Sequence, residues 1–284
     1  MKRALWPMST ARGVALLRAI EMQRPEAERI SADPHAHRFV DALTLHGTRA
    51  MIATGLSNVL GLEGMMNFAI VRERHVEELM AREAAAGLDQ IVILGAGFDT
   101  RSYRLAGVDR IPIFEVDHPV TQAAKRKALR GVVEPPVNVR FVTVNFDVDD
   151  LDERLRACGY DPDGRTLFVW QGVIMYLTPE GIDHTLRFVA ERSAPGSVVV
   201  FDYMYESLLR RLRGPTAMRL FTRAMGEDIT FGIDGDKVES FLTSRGFDAV
   251  DNVDGAELAR RYLTGKNARR PMARDAGIVA ARVR

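Results

Sequence analysis

Cysteine is almost missing from this chain. Cys158 is the single one in 284 residues, which excludes an internal disulfide and any zinc site built from cysteines. An excess of one charge is missing too: Lys+Arg 39 against Asp+Glu 38 leave a formal +1. No overall field therefore steers the chain toward nucleic acid or a membrane. Arg269–Arg270 form a local basic pair, but no aromatic residues interleave with them as a nucleic-acid surface would want. No stretch approaches the roughly 18 apolar residues of a membrane span. The opening "MKRALWPMSTARGVALLRAI" is broken by Arg12 and Arg18 and has no small-residue cleavage site, so it does not read as a signal peptide. Repeats, low-complexity tracts and a serine-elbow motif are absent. His35, His37, His46, His75 and His184 are scattered without metal-ligand spacing. These absences predict a cytoplasmic protein with no metal and no nucleic-acid or membrane partner.

What is present is a large apolar fraction, 46%, enough for a sizeable core. Residues 10 to about 87 read as helices: Ala15, Leu16, Ala19 and Ile20 share one face of the first, and Met65 to Ala86 keep a helical period until Gly87. Then the rhythm changes. "QIVIL", "IPIFEV", "VRFVTV", "TLFVW" and "SVVVFD" are short and almost continuously apolar, as strands buried on both faces are. Helical patterns at 119–130, 149–157 and 179–192 separate them, which predicts a right-handed doubly wound α/β sheet. Helices at about 205–225 and 235–245 follow, then "FDAVDNV" as a sixth strand and "AGIVAARVR" as a last one. The expected organisation is one α/β domain over residues 1–284. It comprises a helical cap (1–87), a core (88–202), a lid insertion after the fifth strand (203–233) and the rest of the core (234–284).

The first strand ends in "ILGAGFDTR". Gly95 and Gly97 let a backbone turn tightly and approach a ligand beyond the carboxyl end of the strand, where open α/β sheets bind. A dinucleotide fingerprint would place a third glycine where Thr100 stands, and Asp99 is a poor neighbour for a pyrophosphate. Asp99 either caps the next helix, which Phe98 to Leu105 can open, or attracts a cation. The second strand ends "FEVD", and Glu115 and Asp117 stand 20 and 22 positions after Gly95, at the spacing of a carboxylate that accepts ribose hydroxyls. A nucleoside ligand with a positive charge suits this set better than NAD does, and S-adenosylmethionine (SAM) is the commonest such cofactor. An ordinary tight turn and a surface acid are the competing account.

The runs "LGAGFDTRSYRL", "FEVDHP" and "WQGVIMYLTPE" resemble the leucine carboxyl methyltransferase family of SAM-dependent methyltransferases, and its bacterial branch of O-methyltransferases above all. "TARGVALLRAIEMQRPEAERISADPHAHRFV" extends the likeness over nearly the whole chain. The resemblance implies a Rossmann-like class I fold of seven strands, the seventh antiparallel, with SAM as cofactor and S-adenosyl-L-homocysteine as product. It implies that Arg72 grips the SAM carboxylate, with Arg74 as a neighbouring alternative, and that Gly95 and Gly97 run beside the methionine moiety. Asp117 is the implied ribose acid, with Glu115 as fallback. Asn145 and Phe146 stand where the family commonly has an Asp-Leu pair beside the adenine, and Asp147 is the alternative if the loop shifts. A turn and a helix cap before Leu151 compete with that assignment. Gln171 stands where the family often has Glu, so a charge near the sulfonium is lost there.

The expected reaction is methyl transfer to a carboxylate or hydroxyl of a small molecule, such as a polyketide or other secondary metabolite. Methylation of a protein carboxylate and a catalytically silent SAM-binding protein are the alternatives. Tyr176 is the candidate that would orient the acceptor, or else it packs under the sheet edge. His118 is either a base or, with Pro119 after it, a helix-start residue. The N-terminal helices and the 203–233 insertion are expected to set specificity as a lid.

Overall fold

Strands that are apolar at every position have no face to offer water, and here each central strand lies between two helical layers. In a computed structural model, described over residues 6–145, 149–213 and 229–284, the strands are β1 (Gln90–Leu94), β2 (Ile113–Asp117), β3 (Val139–Thr143), β4 (Thr166–Trp170), β5 (Val198–Met204), β6 (Phe247–Asp254) and β7 (Ala276–Val283). They form one sheet in the order β3-β2-β1-β4-β5-β7-β6. All pairings from β3 to β5 are parallel, and β7 runs antiparallel between β5 and β6. This is the expected seven-stranded, mostly parallel Rossmann-like sheet. Alternation along each strand divides the core: Ile91, Ile93, Leu167 and Val169 face one layer, and Val92, Leu94, Phe168 and Trp170 face the other.

Helices α1 (Trp6–Glu21), α2 (Ala42–Ala53), α3 (Leu56–Val59) and α4 (Glu63–Ala85) precede the sheet. Gly87, at φ +85°, turns the chain out of α4 as its position suggested. Phe68, Ile70 and Val71 of α4 pack with Ile91 and Ile93. Between strands lie α5 (Arg101–Arg104), α6 (Pro119–Leu129), α7 (Leu151–Ala157) and α8 (Pro179–Glu191). After β5 come α9 (Glu206–Arg213), α10 (Val238–Thr243) and α11 (Gly255–Tyr262). Most of the helix expected over 205–225, and with it the middle of the expected lid, lies outside the described residues. Cys158 follows α7 as a half-buried free thiol.

Helix α1 and the segment around Phe39 lie against the turn at the carboxyl end of β1. Ala15 and Ala19 of α1 are buried as expected, but so is Arg18 between them, at 3% exposure. Phe39 stacks on Phe98, ring centroids 4.5 Å apart, directly after the glycine turn. Arg270 fixes the end of α1 through paired donations to Glu21, 3.0 Å each. Among the described residues no helix is long and apolar enough to cross a membrane.

Candidate active site

Strand order reverses beside β1, with β2 on one side and β4 on the other. Such a switch point opens a crevice beyond the carboxyl ends, and the glycine turn stands in it. Gly95 has φ +67° and Gly97 +49°, conformations that L side chains rarely adopt. A Cβ on Gly95 would lie 2.6 Å from Val173 Cγ2, and one on Gly97 would lie 3.2 Å from Ala11 of α1. The register Leu94↔Val116 sets Asp117 level with the turn. Its carboxylate accepts from the Gly97 N–H and, at 2.6 Å, from the His118 N–H. Burial raises the Asp117 pKa, and these two N–H groups oppose the rise.

Glu115 does not serve as the fallback. Its carboxylate is buried and committed to Lys125 at 2.6 Å and Ser102 at 2.5 Å, which ties β2 to α5 and α6. Burial raises its pKa against the pull of Lys125. Asp99 is not the cap of the next helix, which is Thr100; its Oδ1 accepts from the Arg101 N–H two residues on at 2.8 Å, and its Oδ2 lies 3.2 Å from the Arg101 guanidinium. Because that side chain organises the turn, the helix is a single turn, Arg101–Arg104, shorter than the sequence suggested.

Helix periodicity separates the two arginine candidates. Arg74 lies on the solvent face, half exposed and paired with Glu78 at 2.6 Å. Arg72 points inward at 7% exposure and donates through Nη1 to Asp202 on β5. Asp202 also accepts from the Gly172 N–H at 2.6 Å, so one carboxylate holds both the guanidinium and the loop after β4. The buried Arg72 Nε has no protein partner. A buried guanidinium nitrogen without an acceptor is costly, and a ligand carboxylate is the group that suits it.

Beside Arg72, Glu73 anchors a buried network. Its Oε2 accepts from Arg101 at 2.7 Å and its Oε1 from Gln171 Nε2 at 2.6 Å, while Gln171 Oε1 accepts from Arg101. Arg18 of α1 lies 3.8 Å from Glu73 and donates to the Phe98 carbonyl at 2.7 Å. Burial alone would raise the Glu73 pKa, but Arg101, Arg18 and Arg72 reverse this and hold it at about 2. Sequence reading missed Arg18, Glu73 and Asp202. The first lies on the apolar face at 15/18/19 spacing, and the last is an acid inside an apolar strand, so both left a signal.

The remaining candidates are distributed around the crevice. Asn145 follows β3 in a turn closed by its N–H donating to Asp149 at 2.8 Å, and Asp150 caps α7. Phe146 and Asp147 lie outside the described residues. Tyr176 ends a short 3-10 turn after β4, three residues beyond Val173, and is half-buried. His118 caps α6, its Nδ1 accepting from the Val120 N–H at 3.3 Å. No group of three His, Cys, Asp or Glu side chains able to hold a metal ion occurs among the described residues.

A doubly wound sheet with an antiparallel seventh strand, and a carboxylate answering a glycine turn at its switch point, define the architecture of the class I SAM-dependent methyltransferases. The comparisons take this further: the sequence profile of the leucine carboxyl methyltransferase family matches residues 11–190, and the chain belongs to that family. It is an SAM-dependent methyltransferase. A protein of Mycolicibacterium smegmatis, named as a candidate SAM-dependent methyltransferase, is 35% identical over 207 residues, 71% of this chain and 68% of its own. Another from Frankia alni, named likewise, is 30% identical over 275 residues, covering 96% and 93%. Among solved structures, a candidate O-methyltransferase of Nostoc punctiforme aligns with TM-score 0.47 at 15% identity over 73% of this chain. Human N-acetylserotonin methyltransferase in complex with SAM aligns with TM-score 0.45 at 16% identity over 81%. The alignments span 56% and 58% of those two solved chains.

Proposed function

We propose that the chain transfers the methyl group of SAM to an oxygen of a small molecule, and to a carboxylate in preference to a hydroxyl. The cofactor's place in this reading is carried by one observation, the inward-facing Arg72 with its buried, unpartnered Nε, its guanidinium packed against Gly172 of the loop after β4. Arg72 would bind the methionine carboxylate, and Gly95 and Gly97 would leave their backbone open to the methionine chain. Asp117 would accept the ribose hydroxyls, and Asn145 and Phe146 would border the adenine. Bound SAM supplies a methyl on a sulfonium, already activated for in-line displacement.

What remains for the protein is to orient the acceptor and exclude water. His118 caps α6, His75 meets Tyr262, His35 is half-buried before its 3-10 turn, and His37, His46 and His184 lie in solvent. A carboxylate is ionised at neutral pH and needs no base, whereas a hydroxyl does. That difference favours the acid. Tyr176 would orient it by hydrogen bond. Residues 1–87 and 203–233 would form the cap and lid over the core at 88–202 and 234–284. The exposed Leu43 and Val59 of α2 and α3 suit the closing of a cap over an apolar acceptor, a polyketide acid for example. A cytoplasmic enzyme of secondary metabolism fits this reading.

Titration with S-adenosylhomocysteine tests the cofactor's place. Arg72→Ala is expected to weaken binding by about 10- to 100-fold, the value of a charged hydrogen bond; unchanged affinity would remove Arg72 from the site. A panel of aromatic and polyketide-like acids and their alcohols tests the acceptor. A labelled product that releases methanol in mild alkali is an ester, as expected. An alkali-stable methyl would be an ether and would reverse the preference, and binding without turnover would favour a silent SAM-binding protein.

A further inference from the structure

Three segments that border the crevice meet in one closed ring: Glu73 from α4, Arg101 from the turn after β1, and Gln171 from the loop after β4. Each member uses the group only it can supply. Arg101 donates to both partners, Glu73 accepts from both, and Gln171 accepts at one end and donates at the other. The Gln171 amide is not reversible in this setting. Turned over, its NH2 would meet guanidinium donors and its oxygen would meet a carboxylate. Two corners of the ring are closed to water, Arg101 and Glu73 being each 1% exposed, and Gln171 is half-buried.

Its neighbours make the ring matter to the crevice. Glu73 follows Arg72 in sequence, and Gln171 precedes Gly172, whose N–H is held by the same Asp202 that holds Arg72. Arg101 is tied to Asp99, two residues beyond Gly97. A change at any corner therefore moves either the arginine or one wall of the crevice.

We propose that Glu73 is the positioning residue that fixes the separation of the loops after β1 and β4, and that residue 171 must be an amide because Glu73 already supplies the ring's negative charge. The proposal rests on the cofactor lying in that crevice. It turns the apparent loss of a charge at Gln171 into a relocation: the acid stands on α4 and the amide on the sheet. A carboxylate at 171 would face Glu73 across the 2.6 Å contact with no proton between them. Exchanging the two, with Gln at 73 and Glu at 171, would restore one negative charge and all three hydrogen bonds.

The test is a double-substitution cycle on Glu73→Gln and Gln171→Glu, read by calorimetric affinity for S-adenosylhomocysteine and by the thermal midpoint of the ligand-free protein. Each single variant is expected to bind about tenfold more weakly, within the range for directly contacting residues, and to melt earlier. The double variant is expected to recover most of both. Insolubility of Glu73→Gln alone, relieved in the double variant, would support the exchange equally. Gln171→Glu binding as tightly as the original, or a double variant no better than the sum of its parts, would overturn it. Failure of the unsubstituted protein to bind would sink the cofactor's placement as well, so the two failures are told apart by which protein shows them.

Discussion

An alanine at position 95 would have to hold φ near +67° and bring its Cβ within 2.6 Å of Val173 Cγ2. The left-handed backbone costs an L-residue about 1–2 kcal/mol, before any clash. Gly95→Ala is therefore expected to lower the urea-unfolding free energy by more than that, and adding Val173→Ala should return only the steric part. Full recovery in the double variant would mean that the backbone conformation is not strained. This turn was legible in the sequence because its requirements are local: two glycines, an acid two residues on, and a strand before them. The same held for Asp117, whose spacing from Gly95 is a property of one βαβ unit. Arg72 was named only through family likeness, and only the helix face distinguishes it, buried, from the exposed Arg74. Glu73 was not legible as a site residue, since its partner Gln171 lies 98 positions away; Asp202 stood out as an acid in an apolar strand, but its partner Arg72, 130 positions away, did not. No local pattern carries contacts of that range. Glu115 shows the opposite failure: its spacing was right for ribose, but a lysine on the next helix had already claimed it.

Strand β2 and helix α6 are joined by that claim. Lys125 and Glu115 are each 1% exposed and 2.6 Å apart, and Lys125 also lies over the Tyr103 ring at 5.5 Å. Removing one partner of a buried pair leaves an uncompensated charge and costs about 3–5 kcal/mol. Lys125→Met should lose that much in urea unfolding, and a further Glu115→Gln should return part of it by removing the stranded charge while keeping an acceptor for Ser102. A Lys125→Met protein as stable as the original would show that the pair contributes nothing net. At this scale the sequence was informative about most of the elements, because strands buried on both faces and helices with caps write themselves as runs and periods. It overextended the helix after β1, where the Asp99 side chain competes for backbone N–H groups. It also took Arg18 only as a break in the apolar N-terminal stretch, since an arginine reads as exposed until something buries and pairs it.

The whole molecule answers acid through opposed groups. Glu73 titrates at about 2 when folded against an ordinary 4.5, so it stabilises the fold at pH values above 4.5 and loses that contribution as pH falls toward 2. Asp117 and Glu115, raised by burial, act with the opposite sign and are relieved on acidification. Glu73→Gln should therefore be less stable than the original at neutral pH, with the gap closing as pH falls from 4.5 toward 2, because the unfolded chain binds that proton before the folded one does. Urea unfolding across pH reads this directly; a gap constant down to pH 3 would place the acid sensitivity elsewhere. Sheet order has its own consequence for the entire chain. Among the described residues β6 pairs only with β7, and β7 occupies Ala276–Val283. A nonsense codon just after Asp275 would thus delete one strand from the message and two from the sheet, leaving β5 with a raw edge open to aggregation.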